Sequence, residues 1–343
     1  MHNRSRNTIL FIIMGIALVA LFLVNISLGA VKIPTQDVAN ALTGNATSKP
    51  AWDYIILNYR LPKALVAVLS GMGLSIGGLL MQTLFRNPLA GPDVLGLSSG
   101  SSLGVAFVIM GAGFIPGAFG LFLISGYGVV LASVAGSFAV LLLVLAVAQR
   151  LRDTMAILIT GIMFGSFTGA IVGVLSYFST AEQLQKYTFW ALGSLGNLPW
   201  EHVTLLAVIT FIGIALAITR IKALDGLLLG ERYAISLGIN INRTRIIIIL
   251  AASLLTGVVT AFAGPIAFVG LVVPHIARLI LKAGSHRILF WGTLLTGGIL
   301  MLLCDICTQI PGSGVVLPIN GITSIIGAPV VIGLLLQKRK SAY

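Results

Sequence analysis

Charge is scarce in this chain: 9% of its 343 residues are charged, against 57% hydrophobic. A water-soluble domain carries roughly 25% charged residues, so a soluble globular fold is excluded. A charge at the centre of a bilayer costs about 3 kcal/mol on insertion scales, which is why membrane-crossing chains shed them. Cysteine is nearly missing too. The two present, Cys304 and Cys307, form a C-x-x-C in "CDIC". Zinc would want a second ligand pair, and this motif lies inside an apolar run, unlike a redox or metal C-x-x-C of a soluble protein, so both read as helix-packing thiols. No Gly-Lys dipeptide occurs, which excludes the phosphate-cradling G-x-x-x-x-G-K-[ST] loop. A paired-carboxylate or nucleophile–base arrangement is missing as well, which leaves nothing for an intramembrane enzyme. Prolines number 12 against 40 glycines. The glycines sit within apolar runs, where they allow close helix packing.

Acids are few: nine Asp and Glu against 21 Lys and Arg, a net charge of +12. Nucleic-acid binding would want a basic patch interleaved with aromatics, and none is present, so no nucleic-acid partner is expected. Cationic loops on one side of a membrane account for the excess.

A span needs about 20 apolar residues. That ruler finds ten segments, near 9–28, 63–84, 98–115, 125–148, 154–178, 202–219, 246–263, 265–281, 288–307 and 321–336. Those near 98–115 and 265–281 are short or broken by Pro and Gly. The first resembles a signal peptide but outruns the usual 7–15 residue core. Cleavage after Ala30 would also put bulky Leu28 at the −3 position, so the helix is expected to stay attached. Ten spans with the N-terminus inside gather all Lys and Arg on the inner side except Lys32, Lys49, Arg60, Lys63 and Lys186. This bias predicts both termini in the cytoplasm. The long outer loops, 29–62 and 179–201, hold Trp52, Tyr54, Tyr59, Tyr187, Trp190 and Trp200, an interfacial aromatic belt lying in lipid headgroups.

One inner segment is neither span nor plain loop. "DGLLLGERYAISLGI" (Asp225–Ile239) mixes acids, an Arg, a Tyr and spaced Leu and Gly. A helix from about Gly230 to Leu237 would place Tyr233 and Leu237 on one face and leave Glu231 and Arg232 solvated. Gly230 and Gly238 would bracket it. It reads either as a rigid plug for a partner or as a helix lying on the membrane surface.

Other candidates follow. "TGIMFGSFTGAIVG" sets Gly161, Gly165, Gly169 and Gly173 at i+4 spacing on one helix face, for tight packing or for a smooth passage wall. In "RNPLAGPDVLG" (Arg86–Gly96), Pro88 and Pro92 break the helix, and Asn87 and Asp93 can cap. In "PHIAR", His275 is expected to bond locally and Arg278 to snorkel to the interface. Asp305 is an acid inside a span with no cationic partner in view. It is a proton relay in a secondary transporter, or a capping and packing residue near the outer end. No metal-ligand cluster is visible, so no metal site is expected.

Together, "RLPKALVAVLSGMGLSIGGLLMQTLFRNPLAGPDVLGLSSG" (Arg60–Gly100), "DGLLLGERYAISLGI", "GPIAFVGLVVPHIARLI" (Gly264–Ile280) and "ITSIIGAPVVIGLLL" (Ile322–Leu336) resemble the FecCD-type permeases over nearly the whole chain. These are the membrane subunits of ABC importers for iron–siderophore complexes, haem and cobalamin. The resemblance implies an all-α, BtuC-like type II importer fold of about ten transmembrane helices. Residues 1–343 would form a single permease domain, with a coupling segment at about 220–245.

It further implies a second permease copy, identical or paralogous, and two separate ATPase subunits that use ATP and Mg. A periplasmic or lipoprotein substrate-binding protein would dock outside, in a bacterial inner membrane. The chain itself would bind no cofactor and catalyse nothing. Leu227, Leu229, Gly230, Glu231, Arg232, Tyr233, Ala234, Leu237 and Gly238 would dock the ATPase. Arg60 and Lys63 would meet acidic residues of the binding protein. The fifth helix, with its glycine ladder, would line the pathway. Gln309, Val316 and Asn320 stand where the family usually has Arg, Glu and Gly. A chelated metal suits the Gly, Ala, Ser and apolar residues of that pathway better than a bare ion, which would want carboxylate, His or Cys ligands. A ferric siderophore is expected ahead of haem, and haem ahead of cobalamin. An ion- or proton-coupled transporter working alone, with Asp305 as relay, is the alternative.

Overall fold

Every one of the ten apolar segments becomes a helix in the computed structural model, which describes residues 2–29, 31–111, 125–150, 154–282, 284–309 and 315–340. In chain order, α1 (His2–Ser27) crosses to the loop-rich end. There α2 (Thr35–Thr43) and α3 (Pro50–Ile55) lead through a π-helical turn, Ile56–Arg60, into α4 (Leu61–Leu84). A short 3-10 turn (Pro92–Leu95) precedes α5 (Leu97–Gly111), α6 (Gly126–Arg150) and α7 (Thr154–Tyr177). Then come α8 (Ala181–Ala191), α9 (Trp200–Ile218), and two short helices, α10 (Ile221–Leu228) and α11 (Glu231–Ser236). The chain finishes with α12 (Ile241–Ala263), α13 (Val269–Leu281), α14 (His286–Thr308) and α15 (Ile319–Lys340). Residues 112–115, the end of one predicted span, and Ala30, the candidate cleavage point, lie outside the described residues.

Among the described residues, seven helices are long and apolar enough to cross a membrane, and three apolar ones are shorter: α5, α13 and Ile319–Gly333 of α15. The expectation of a short or broken span near 265–281 matches α13, while the end of the one near 98–115 lies outside the described residues.

α4 is the central helix, buried along nearly its whole length and packed by α1, α9, α12, α13 and α14. In lipid, apolar surface gains little by leaving hydrocarbon for protein, so close approach of backbones must hold helices together. Glycine makes that possible here. A Cβ on Gly71 would overlap the Gly297 carbonyl of α14, and one on Gly78 would overlap Gly270 of α13. α5 and α6 meet in the same way through Gly100 and Gly136.

The gap between α12 and α13 is extended backbone at bundle depth, opened by Gly264 at φ 77° and closed by Phe268 at φ 67°. Unpaired backbone groups cost several kcal/mol in hydrocarbon, so such a segment must be satisfied by protein. Asn320 does this. Its Oδ1 accepts from the Ala267 N–H at 3.1 Å, while its own N–H donates to Leu192 O at 3.2 Å. The Ser194 N–H reaches Ala263 O at 2.9 Å. Asn320 thus supplies the acceptor for the extended backbone just before α13.

Candidate functional site

At the end of the bundle rich in Arg, α10 and α11 form a small projecting knob. Leu224, Leu227 and Ala234 are buried beneath it, whereas Leu228, Leu229, Tyr233, Ile235 and Leu237 stand exposed. Gly230 enters α11 at φ 118° and Gly238 leaves it at φ 77°. The Gly238 N–H donates to Ile235 O at 2.9 Å and the Ile239 N–H to Ala234 O at 3.0 Å, the paired closure that glycine permits at a helix C-terminus. The two glycines bracket the helix as the sequence suggested, although α11 is shorter, Glu231–Ser236. Arg232 is exposed. Glu231 corrects expectation: it is not simply solvated, because its Oε1 accepts from Arg245 Nη2 at 3.1 Å. That guanidinium is 3% exposed, so the pair roots the knob in the start of α12.

Beneath the knob lies a contact the sequence did not suggest. Asp225 Oδ1, on α10, accepts from the His286 backbone N–H at 2.8 Å and faces its Nδ1 at 2.7 Å. His286 opens α14 and is almost wholly buried. Its Nε2 lies 3.0 Å from Thr83 Oγ1, near the end of α4. Alongside, Arg278 Nη1 donates to Gln82 Oε1 at 3.1 Å and Gln82 Nε2 to Leu271 O at 2.9 Å. Arg278 therefore bonds inward to α4 instead of snorkelling outward. His275, Arg278, Asp225, His286 and Gln82 share a cavity of ≈ 450 Å³ open at this end.

The glycine ladder of α7 divides in two. Gly161 is buried and its carbonyl lies close under Gly96, and Gly165 meets Ser99. A Cβ on Gly169 or Gly173 would meet nothing within 4 Å among the described residues, and both are exposed. Packing thus uses the first half and leaves the second half bare.

At the opposite end, neither basic candidate stands free. Arg60 is 8% exposed. Its guanidinium donates to Ile26 O at 3.0 Å, to Ser27 O at 2.9 Å and to Val31 O. These are the orphan carbonyls at and beyond the end of α1, so its place at a docking rim is taken by a structural task. Lys63 Nζ lies 3.0 Å from Asp305 Oδ1, the two side chains 18% and 2% exposed. Asn25 Nδ2 donates to Asp305 Oδ2 at 2.8 Å. Asp305 accordingly has a cationic partner, contrary to expectation, and joins α1, α4 and α14. Two cavities of ≈ 340 and ≈ 370 Å³ flank this pair, with Lys63, Gly196, Asn197 and Val316 in both walls. Of the two thiols, Cys304 is buried as expected, while Cys307 is exposed.

Comparison with known proteins places this geometry. Residues 17–337 match the FecCD transport family. The chain is 32% identical over 341 residues to the hemin transport system permease protein HmuU of Yersinia pestis, with 99% of each chain covered. It is 34% identical over 289 residues to the vitamin B12 import system permease protein BtuC of Salmonella typhi, covering 84% of this chain and 85% of that one. The solved structure of a metal-chelate type ABC transporter in an inward-facing conformation superposes with a TM-score of 0.82 at 28% identity, over 96% of this chain and 99% of that chain. A permease of this kind works with an ATPase and a substrate-binding partner. The isolated proton-coupled transporter is therefore not favoured, and with it goes the relay role of Asp305. The chain belongs to the FecCD transport family: it is an integral membrane permease subunit of an ABC importer, a transport component and not an enzyme.

Proposed function

We propose that this permease imports a metal chelate, a ferric siderophore, haem or cobalamin, with motion supplied through the α10–α11 knob. One observation carries the reading. Leu228, Leu229, Tyr233, Ile235 and Leu237 are all exposed on a projection held rigid by two glycine closures and the Glu231–Arg245 pair. Ile235 lies about 200° around the helix from Tyr233, so apolar side chains point to more than one side. A helix lying on a membrane would confine them to one face. A plug seated in a protein groove would not, and exposed apolar clusters of this kind mark interaction sites.

Around the buried Leu227 and Ala234, which support the surface and do not meet the partner, the knob residues Leu228 to Gly238 dock an ATPase that uses ATP and Mg, while the chain binds no cofactor itself. Residues 1–343 act as one permease domain. Two copies, identical or paralogous, enclose the pathway above two ATPase subunits, with the bare Gly169 and Gly173 face of α7 available to that assembly. The knob end is cytoplasmic, as are both termini, in a bacterial inner membrane. A periplasmic or lipoprotein binding protein delivers cargo at the far end. The names of the relatives, for hemin, vitamin B12 and metal chelates, support the cargo class.

The test is uptake into vesicles carrying the permease, its ATPase and the cognate binding protein loaded with labelled haem, cyanocobalamin or a ferric siderophore. Uptake of one of these should require internal ATP and persist with a proton uncoupler. Uptake that proceeds without ATP and stops with the uncoupler would overturn the reading.

A further inference from the structure

The two polar contacts that the sequence did not reveal lie at opposite ends of the same pair of helices. α4 runs from Lys63 to Thr83, and α14 runs back from His286 to Asp305. At the cytoplasmic end, Asp225 of the knob bonds His286, and His286 bonds Thr83. At the outer end, Lys63 pairs with Asp305. Between them, Gly71 meets Gly297 without room for a Cβ, and the Ser75 hydroxyl is shared between Met72 O and Thr293 O. The helices are therefore pinned at both ends and keyed in the middle, over roughly 30 Å at 1.5 Å per residue.

We infer that Thr83, His286 and Asp225 are positioning residues that clamp the coupling knob to an α4–α14 lever, whose far end carries the Lys63–Asp305 pair between the two outer cavities. This rests on the docking reading above and adds the route by which the motion travels. The clamp is suited to the task. One carboxylate oxygen holds both the backbone and the ring of His286, so α10 cannot shift without moving the start of α14. The ring then fixes α4 through the hydroxyl of a residue that is itself 1% exposed. The single Thr83 hydroxyl proton is shared between Leu79 O at 2.9 Å and Nε2 at 3.0 Å: given to the carbonyl, it leaves the oxygen to accept from Nε2–H. Packed interfaces of this kind move as units rather than deform. Displacement at the knob thus arrives at the outer mouth, where a substrate-binding partner delivers cargo.

Cys307 reports on that far end without mutation, because it is exposed at the end of α14 while Cys304 is buried. The experiment measures alkylation of Cys307 by N-ethylmaleimide in the assembled permease–ATPase complex, with and without a non-hydrolysable ATP analogue. In the unmodified complex the nucleotide should change the rate by about fivefold or more, the scale of ordinary allosteric coupling. Thr83→Val removes one hydroxyl at nearly constant shape, and His286→Asn replaces the ring with a shorter amide that lacks the nitrogen facing Thr83. Both variants should retain the ATPase and its turnover but lose most of the nucleotide effect at Cys307.

The lever is overturned if the effect survives in both variants, if the unmodified complex shows none, or if both variants simply fail to assemble. Leu237→Asp separates this from the docking reading. If that variant still holds the ATPase, docking at the knob is wrong. If it loses the ATPase while Thr83→Val and His286→Asn keep the Cys307 response, only the lever is wrong.

Discussion

Asp305 is 1% exposed, and its charge is met by Lys63, by Asn25 and, at 3.5 Å, by the Thr308 hydroxyl. Removing one member of a buried pair strands the other, at a cost of about 3–5 kcal/mol, whereas replacing both with apolar groups is often nearly neutral. Asp305→Ala should therefore lower the thermal stability of the purified permease sharply, and Lys63→Met with Asp305→Leu should recover more than half of the loss. An unchanged melting temperature in the single variant would count against the pair. Asn320→Gly should cost about 1–3 kcal/mol, because the Ala267 N–H is left without its acceptor; thermal unfolding reads this too. Residue-level partnerships were the least legible part of the sequence. Asp305 looked solitary, and Lys63 looked like a rim charge, because each partner lies most of the chain away and no local period records the meeting. Arg60 misled for the same reason. Its position at the start of an outer helix is readable, but the carbonyls that swallow its guanidinium belong to the end of α1.

Helices were legible where apolar length alone decides them. The run beginning at Ile9 lies in α1, and those beginning near Lys63 and Gly126 lie in α4 and α6, because hydrocarbon thickness permits few other arrangements. What length does not reveal is which glycines touch. The ladder of α7 was the visible pattern, yet its outer half, Gly169 and Gly173, is open, while the scattered Gly71 and Gly78 of α4 are locked against backbone. Gly78→Ala drives a methyl into Gly270 of α13, and overpacking of this kind costs about 1–3 kcal/mol or more. A Cβ at Gly173 meets nothing within 4 Å among the described residues, so Gly173→Leu should leave the stability of the separated subunit unchanged. If the bare face serves the assembly, the same variant should reduce transport. Comparing melting temperature with vesicle uptake for the two variants checks both statements: stability should fall for Gly78→Ala alone, and uptake should fall for Gly173→Leu at native stability.

Across the whole molecule, the basic knob end and the loop-rich end are joined by helices with little freedom to bend independently, so the consequence of a change depends on where along that path it falls. Leu237 is 57% exposed and lies outside the bundle, so its replacement should not disturb the fold. Leu237→Asp carries a charge into whatever groove receives the knob. Burying an unpaired carboxylate there costs several kcal/mol, and each 1.4 kcal/mol lowers affinity about tenfold. The variant should express and melt like the native permease, yet fail to co-purify with the ATPase. Permease-stimulated ATP turnover and uptake should fall together. Separate loss of uptake, with ATPase binding intact, is the signature reserved for the Thr83 and His286 clamp further along. The two kinds of failure differ because one breaks the grip on the motor and the other breaks the transmission behind it. Should Leu237→Asp retain a full complement of bound ATPase, the exposed apolar side chains of α10 and α11 would have some other partner, and work would have to reach α4 and α14 by another surface.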